Sequence, residues 1–155
     1  MNSTDDAELR FPVSLRGSWF GLNRHFRDLL SPYPITPAQY TTLRNICEHE
    51  GGLLNQRMLC KLVSSNENNL AAILKKLEKL GLIQRKEVSN DRRNNSIVAT
   101  SAGKELFYQA KKVAQKLEAT ILAEFSDEET EQIFDSLEQC ISKLDSMEEN
   151  RASKV

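Results

Sequence analysis

The chain has 155 residues, of which 39% are hydrophobic and 28% charged, and a formal net charge of −1. This length suffices for one domain with a real core, and the near-zero net charge excludes a uniformly basic nucleic-acid coat protein. Charge is unevenly distributed, because residues 66–104 hold eight Lys or Arg against four Asp or Glu, whereas residues 126–150 hold one Lys against nine acids. The asymmetry fits a local anion-binding surface with an acidic region away from it, although the acidic segment could equally be one exposed helix face.

The composition also argues against membrane, metal and redox functions. No apolar run approaches the ~18 residues of a membrane span, and the polar start is unlike a signal peptide, so we expect a cytoplasmic protein. Cys47, Cys60 and Cys140 lack Cys-x-x-Cys spacing and fall on apolar stripes, which disfavours disulfides, a zinc module and thiol sensing. The segment Cys47-Glu48-His49-Glu50 is a poor metal site, because adjacent helical side chains point in different directions. We expect no cofactor.

The first third of the chain predicts a flexible tail over residues 1–10 and then two helices. Apolar residues recur at three- and four-residue steps from Leu15 to about Leu30, and Ser31-Pro32-Tyr33-Pro34 ends that helix. The segment Thr36-Pro37-Ala38-Gln39 predicts a capping box at the start of the second helix, which should end at Gly51-Gly52. Its inward residues should be Tyr40, Leu43, Ile46 and Cys47.

A short helix, a turn and a second helix should follow. The short helix runs from its cap Asn55 to Leu62, with Met58 and Leu59 among its inward residues together with Leu62. Ser64 and Glu67 are able to form a capping box for the next helix, which Gly81 ends. One face of that helix is an apolar stripe of Leu70, Ile73, Leu74, Leu77 and Leu80. This order predicts a helix-turn-helix.

The opposite face of the helix after the turn suits DNA recognition. It carries Asn68, Ala72, Lys75 and Lys79, with Asn69 and Lys76 on one flank. Asn pairs with adenine through two hydrogen bonds, Lys reaches phosphate or guanine, and Ala allows close approach to a thymine methyl. The alternative is an ordinary solvated helix face, since exposed lysines are common.

A hairpin favours the DNA-binding interpretation. An extended run from Leu82 to Val88 leads to the polar tip Ser89-Asn90-Asp91-Arg92-Arg93-Asn94-Asn95, and a second strand runs from Ser96 to Thr100. A cationic helix beside a hairpin with arginines at its tip can dock on a duplex, the helix in the major groove and the tip on the neighbouring backbone or minor groove. The hairpin would add a wing to the helix-turn-helix.

The last third predicts two long amphipathic helices. Thr100 caps the first, whose stripe extends to about Phe125, and a capping box at Ser126-Asp127-Glu128-Glu129 starts the second, which extends to Met147. Residues 148–155 should fray. These helices need a surface to bury against, which the first helix and a second copy of the chain can supply. The predicted fold is mainly α with a small β-wing: a winged helix-turn-helix lobe (36–100) plus long N- and C-terminal dimerisation helices (11–35 and 101–147).

Two blocks of this sequence resemble the MarR/SlyA family of winged-helix transcriptional regulators. Leu77-Glu78-Lys79-Leu80-Gly81-Leu82-Ile83-Gln84-Arg85 is similar to the family's "LEKKGLVxR", and Asp91-Arg92-Arg93, followed after six residues by Thr100-Ser101-Ala102-Gly103-Lys104-Glu105-Leu106, is similar to "DRR…LTxxGxxL". The resemblance runs from about Leu22 to Leu144. It implies a cytoplasmic homodimer whose two lobes read a pseudo-palindromic operator on double-stranded DNA as a repressor-like regulator.

The resemblance also implies roles for individual residues. Asp91 would support an arginine of the wing, and Arg93, more than Arg92, would reach the minor groove. The reader positions would be Asn68, Asn69, Ala72 and Lys75. A small aromatic or phenolic effector would bind in a cleft for which the candidates are Arg16, Trp19, His25, Tyr40 and Tyr108. The alternative, in which Trp19 and Tyr40 serve packing and His25 is a surface residue, is favoured because amphipathic aromatic side chains are normally buried with their polar tips satisfied. The Asn68-Asn69 pair and Cys60 depart from common family residues.

Other functions fit the sequence less well. With only two histidines and neither a nucleophile–base cluster nor a glycine-rich phosphate loop, the chain offers no enzymatic active site. The alternative to a DNA-binding regulator is a winged-helix dimer used for protein–protein contact. Such a module would not need Lys75, Lys79 and Arg93 together, so the cationic face favours DNA binding.

Overall fold

The computed structural model describes residues 10–49, 51, 54–86 and 95–152. The elements in these ranges are α1 (Arg10–Leu29), α2 (Pro37–Glu48), α3 (Gln56–Leu62), α4 (Glu67–Lys79), β1 (Ile83–Lys86), β2 (Ser96–Ala99), α5 (Ser101–Leu122) and α6 (Asp127–Ala152). The predicted fold class, mainly α with a small β-wing, is confirmed. The chain divides into two compact units, with the boundary between Ala114 and Gln115 inside α5.

The first unit has one hydrophobic core. Helix α2 packs against α3, α4 and β2, and α4 also packs against α3 and β1. The residues at the centre of this core are fully buried leucines: Leu43, Leu59, Leu70, Leu74 and Leu77. Each such side chain contributes about 1.5–3 kcal/mol when it leaves water. The inward stripe of α4 is therefore fixed, and the opposite side of that helix faces solvent.

Capping side chains set where the helices begin. The predicted capping box of α2 is present, with Gln39 N donating to Thr36 Oγ1 (3.3 Å) and Thr36 N donating to Gln39 Oε1 (3.0 Å). The predicted cap Asn55 accepts from Met58 N at 2.9 Å. The expected Ser64–Glu67 box is wrong, because Asn66 caps α4 and accepts from Asn69 N at 2.8 Å.

The reason for that error lies in the backbone of the turn. Ser64 takes a positive φ of 49°, the left-handed conformation that reverses the chain between α3 and α4. An N-cap residue needs an extended backbone, which Asn66 has at φ −86° and ψ 159°. Ser64 therefore forms the turn and leaves the capping position to Asn66.

Two further expectations about α3 are corrected. Met58 and Leu62 were expected inward, yet they are 45% and 44% exposed. A seven-residue helix has only about two turns, and only Leu59 points into the core. Met58 and Leu62 lie on one flank of the helix, one turn apart.

The hairpin pairs antiparallel, with Ile83 opposite Ala99 and Lys86 opposite Ser96. Leu54, which precedes α3, extends this sheet, because Ile97 N donates to Leu54 O (2.8 Å) and Leu54 N donates to Ser96 Oγ (3.3 Å). These bonds tie β2 to the start of the helix-turn-helix. The predicted strand continuation at residues 87–88 and the tip lie outside the described residues, apart from Asn95.

The terminal helices are longer than the sequence suggested. Helix α1 begins at Arg10, five residues before Leu15, and tolerates Pro12 because the first turn of a helix leaves its N–H groups without intrahelical partners. Helix α6 continues to Ala152, beyond the expected end at Met147. Its predicted capping box is present, and the backbone N–H of Ser126, then its hydroxyl, lower the pKa of Glu129.

Candidate nucleic-acid interface

Helix α4 presents the predicted reader residues to solvent. Its buried side is Leu70, Leu74 and Leu77, and the residues predicted to meet DNA are all exposed: Asn68, Asn69, Ala72, Lys75, Lys76 and Lys79. The two small alanines, Ala71 and Ala72, leave the helix backbone accessible near the middle of this face. The helix thus has the amide, cationic and small side chains that a major groove accommodates.

The charges of α4 are separated around the helix. Lys75, Lys76 and Lys79 have no ion-pair partner among the described residues, whereas the acidic Glu67 and Glu78 lie together on another flank. Glu78 is paired with Arg85, whose Nε lies 2.8 Å from Glu78 Oε1. The outward face is therefore locally cationic, although the whole chain is not.

The first helix of the motif adds two cations that the sequence analysis did not single out. Arg57 and Lys61 are exposed, one turn apart and on the side of α3 opposite buried Leu59. Neither has an ion-pair partner among the described residues. The sequence could have indicated them, because residues four apart lie on the same face of a helix and Leu59 defines the opposite, inward face.

The turn between α3 and α4 is closed by Cys60. Its thiol donates to Ser65 O at 2.8 Å, and Ser65 N donates back to Cys60 O at 3.2 Å. Cys60 is half-buried and packs against the core. Cys60 departs from the common family residues, and its thiol is used within the motif to link the end of α3 to the turn.

Gly81 joins α4 to the wing. It has a positive φ of 70°, and its N–H donates to Glu78 O (2.9 Å) while Leu82 N donates to Leu77 O (3.0 Å). This pair of bonds is the Schellman arrangement that ends a helix at glycine. The predicted role of Gly81 is confirmed.

Thr100 fixes the other end of the wing to the same junction. Its hydroxyl donates to Gly81 O (2.6 Å) and accepts from Gly103 N (3.1 Å), while its own N–H donates to Leu82 O (3.0 Å). Thr100 therefore caps α5, as predicted, and also binds the turn after α4. Thr100 thus contacts the turn after α4, the residue before β1 and the first turn of α5.

The described residues bring the reader face, the α3 cations and the base of the wing into one compact unit. The predicted tip residues Asp91, Arg92 and Arg93 lie outside the described residues. Their role stays a prediction, and the described strands only place β1 and β2 on either side of them in sequence.

Known proteins share this sequence and architecture. A protein-family model described as "MarR family" matches residues 33–94. The HTH-type transcriptional regulator SarZ of Staphylococcus epidermidis is 29% identical over 122 residues, which are 77% of this chain and 78% of SarZ. These matches support a MarR-family winged-helix regulator.

Solved structures share the fold of this chain. The MepR–DNA complex of Staphylococcus aureus is 24% identical, with a TM-score of 0.81 over 88% of this chain and 99% of MepR. CouR of Rhodococcus jostii RHA1, solved with p-coumaroyl-CoA bound, is 25% identical, with a TM-score of 0.74 over 86% of this chain and 92% of CouR. The predicted winged-helix architecture and family are confirmed.

The candidate effector residues do not line one common cavity. Tyr40 is buried, with its ring centroid 5.0 Å from that of Phe26 and 6.1 Å from that of Phe107. Trp19 and Tyr108 are each 60% exposed, and Arg16 lies over the Phe20 ring. His25 is exposed on α1. Tyr40 therefore serves the core, and the others are available at the surface.

One depression of about 590 Å³ lies along α1. Of the five candidates only Trp19 lines it, together with Phe20, Asn23, two glycines and two arginines: Gly17, Gly21, Arg24 and Arg27. The glycines leave a notch in the helix surface, and the arginines give it a positive rim. It combines aromatic and cationic groups, although not the set that the sequence indicated.

The described part of the chain shows neither a metal-binding cluster nor a membrane-spanning helix. Within it, no group of three or more His, Cys, Asp or Glu side chains could hold a metal ion. In the segment Cys47-Glu48-His49-Glu50, Glu48 pairs with Arg44 (3.1 Å) and His49 Nδ1 lies 2.8 Å from Asn45 O. None of the described helices combines the length and apolar character needed to cross a membrane.

Proposed function

We propose that this MarR-family regulator acts as a homodimer that binds a pseudo-palindromic DNA operator and represses transcription. The observation that carries the proposal is the outward face of α4, whose amides, alanines and lysines stand on a helix that three buried leucines hold against the core. Those lysines have no ion-pair partner in the part of the chain that the structure describes. In helix-turn-helix proteins, the second helix of the motif enters the major groove of DNA. The lobe formed by residues 36–100 is the DNA-binding domain in this proposal.

Each type of residue has a distinct task on the duplex. Asn68 and Asn69 read base edges through their amides, and Ala72 permits close approach to a thymine methyl. Lys75, Lys76 and Lys79 bind phosphate or guanine. The first helix of such a motif crosses the DNA backbone, so Arg57 and Lys61 on the outer side of α3 bind phosphates there. Asp91 supports an arginine of the wing, and Arg93, more than Arg92, enters the minor groove.

A second copy of the chain covers the exposed apolar surface of the terminal helices. Helix α1 exposes large side chains that include Phe11, Trp19 and Phe20, and α6 exposes Ile141, Leu144 and Met147. Surface of this kind normally marks an interaction site. A twofold dimer places the two α4 helices in successive major grooves, roughly 34–36 Å apart, which explains a pseudo-palindromic operator.

A small aromatic or phenolic effector modulates this dimer. The ligand seen with CouR supports such regulation in a relative. A ligand that favours a different spacing of the two lobes makes the α4 helices miss successive grooves, and the binding free energy of DNA falls accordingly. Trp19 and the arginine rim on α1 have the aromatic and cationic groups that an aromatic acid binds.

The stoichiometry of the DNA complex tests the proposal. Light scattering behind size exclusion would give the mass of the protein alone and with an operator-length duplex. Two chains in both samples are expected, with the complex dissociating as salt rises. A dimer that ignores DNA at low salt would contradict DNA binding and favour the protein-interaction alternative, while one chain per duplex would contradict the dimer.

A further inference from the structure

Arg85 joins three elements of the DNA-binding lobe through one side chain. Its Nε lies 2.8 Å from Oε1 of Glu78 on α4, and its Nη2 donates to Oε1 of Gln56 on α3 at 3.4 Å. Arg85 itself stands on β1. We infer that Arg85 is a positioning residue for DNA binding, which holds the wing at a fixed angle to α3 and α4 without contacting DNA. This inference rests on the proposed function.

The need for such a residue follows from how the wing is attached. Ile83 is the last buried residue of β1, and Gln84, Arg85 and Lys86 are exposed. Beyond Ile83 no side chain of β1 is buried, so its pairing with β2 and the contacts of Arg85 fix the direction of the strand. The chain continues from Lys86 towards the residues of the predicted wing tip, so the direction of β1 sets where that segment starts.

The register of the hairpin shows that Arg85 acts where the other strand is also anchored. Arg85 stands opposite Ile97 on β2. The N–H of Ile97 donates to Leu54 O at 2.8 Å, which ties β2 to the segment before α3. At the paired residues Arg85 and Ile97, β2 is bonded to Leu54, and β1 is bonded through Arg85 to Glu78 and Gln56. Both strands are thereby attached to the helix-turn-helix at the same height.

The energetics indicate a role in positioning rather than in folding. The side chains of Arg85 and Glu78 are 39% and 35% exposed. Ion pairs this exposed contribute about 0–1 kcal/mol to stability. Loss of the pair therefore leaves the lobe folded. The Arg85 charge is also neutralised by Glu78, so the pair does not supply a free cation for phosphate.

Replacing the acidic partner separates positioning from direct contact. Glu78→Gln removes a negative charge from the lobe, so simple electrostatics predicts unchanged or tighter DNA binding. Positioning predicts the opposite, because the wing loses its tether. We expect Glu78→Gln and Arg85→Gln each to weaken binding by about three- to tenfold, with Arg85→Gln at the upper end because it also loses the Gln56 contact. The double variant should bind no more weakly than Arg85→Gln alone, since both substitutions remove the Arg85–Glu78 interaction.

The experiment is a double-mutant cycle on a duplex that the parent protein binds. Affinity is measured by fluorescence anisotropy, cleavage of the duplex by hydroxyl radicals reports the minor groove, and methylation of guanine N7 reports the major groove. In the variants, minor-groove protection should weaken while major-groove protection remains. Melting temperatures check that the fold is intact, and Arg85→Lys, which keeps the charge but not the forked contacts, should rescue only partly.

A matched control is available in the same lobe. Arg44 and Glu48 form an ion pair of 3.1 Å within α2, and among the described residues no ion pair joins Arg44 to another element. Arg44→Gln should leave affinity and both protection patterns unchanged. Weaker binding by Arg85→Gln together with parental or tighter binding by Glu78→Gln would overturn the inference and make Arg85 a direct DNA contact. A parent that binds no duplex would overturn the proposed function as well.

Discussion

Gly103 lies directly against the backbone of Leu82: a Cβ built on Gly103 would overlap the Leu82 carbonyl oxygen. This contact brings the first turn of α5 against the chain segment that leaves α4. The same carbonyl oxygen accepts a hydrogen bond from the Thr100 N–H. Gly103 and Thr100 therefore both contact Leu82, the residue just before β1. The reader helix and the wing are thereby fixed to the helix that leads to the C-terminal part of the chain.

Gly103→Ala should therefore destabilise the lobe by about 1–3 kcal/mol, because the obstructing atom is backbone and cannot rotate away. Denaturant unfolding followed by circular dichroism would measure the change. Ser101→Ala, two residues away on an exposed position of the same helix turn, should stay within about 0.5 kcal/mol of the parent. Equal stability of Gly103→Ala and the parent would show that α5 moves freely from Leu82.

Thr100→Val should lower the free energy of unfolding by about 1–2 kcal/mol. The substitution keeps the side-chain shape but removes both hydrogen bonds of the hydroxyl, the one donated to Gly81 O and the one accepted from Gly103 N. Thr100→Ser keeps the hydroxyl and should retain most of that stability. Thermal unfolding of the two variants side by side measures the difference. A valine variant as stable as the serine variant would exclude a role for these hydrogen bonds.

Arg57→Gln and Lys61→Gln should each reduce the salt dependence of DNA binding. Each phosphate contact that is lost lowers the slope of log K against log salt by about 0.9, so the double variant should lose about two units. Anisotropy titrations at four salt concentrations would give the slopes. Lys112→Gln, an exposed lysine of α5, serves as the control. Slopes equal to the parent in the double variant would place α3 away from the backbone.

Asn68→Ala and Arg93→Ala should differ in kind. The first should chiefly relax base preference at one position of the half-site, because an amide that reads a base is lost. The second should weaken binding by about 1–3 kcal/mol through loss of a minor-groove contact. Titrations against single-base operator variants separate the two effects. Parental binding and preference in both variants would mean that the reader and the wing are wrongly assigned.

Ile141→Glu should weaken the dimer, because Ile141 is 58% exposed on the apolar side of α6 and would place a charge in the interface. Gln139→Glu adds the same charge to a different side of α6 and should leave the dimer intact. Sedimentation equilibrium of both variants measures their association. If Ile141→Glu remained as dimeric as the parent, the apolar side of α6 would lie outside the interface.

Local chemistry explains which parts of the fold the sequence could predict. The caps at Thr36, Asn55 and Ser126 and the glycine that ends α4 depend on residues within one turn, so the residue types alone identify them. Ser64 adopts a positive φ in the turn between α3 and α4, a conformation that serine rarely takes. No rule of spacing therefore reveals that Asn66 replaces Ser64 as the cap.

Tertiary structure explains the rest of the differences. Arg85 and Glu78 are seven residues apart, and the turn at Gly81 lies between them. Spacing along a helix therefore does not predict their contact, yet their side chains meet at 2.8 Å. Tyr40 has the polar tip of a ligand-binding residue, but its ring packs between Phe26 and Phe107. The reader face of α4 was predictable because its two sides differ so clearly in polarity.

The most direct test of a dimeric DNA reader is selection from a pool of randomised duplexes, with sequencing of the bound fraction at two salt concentrations. Recovery of a pseudo-palindrome with half-sites about one helical turn apart is predicted, with affinity falling steeply as salt rises. Enrichment of no sequence by an intact dimer would contradict the account.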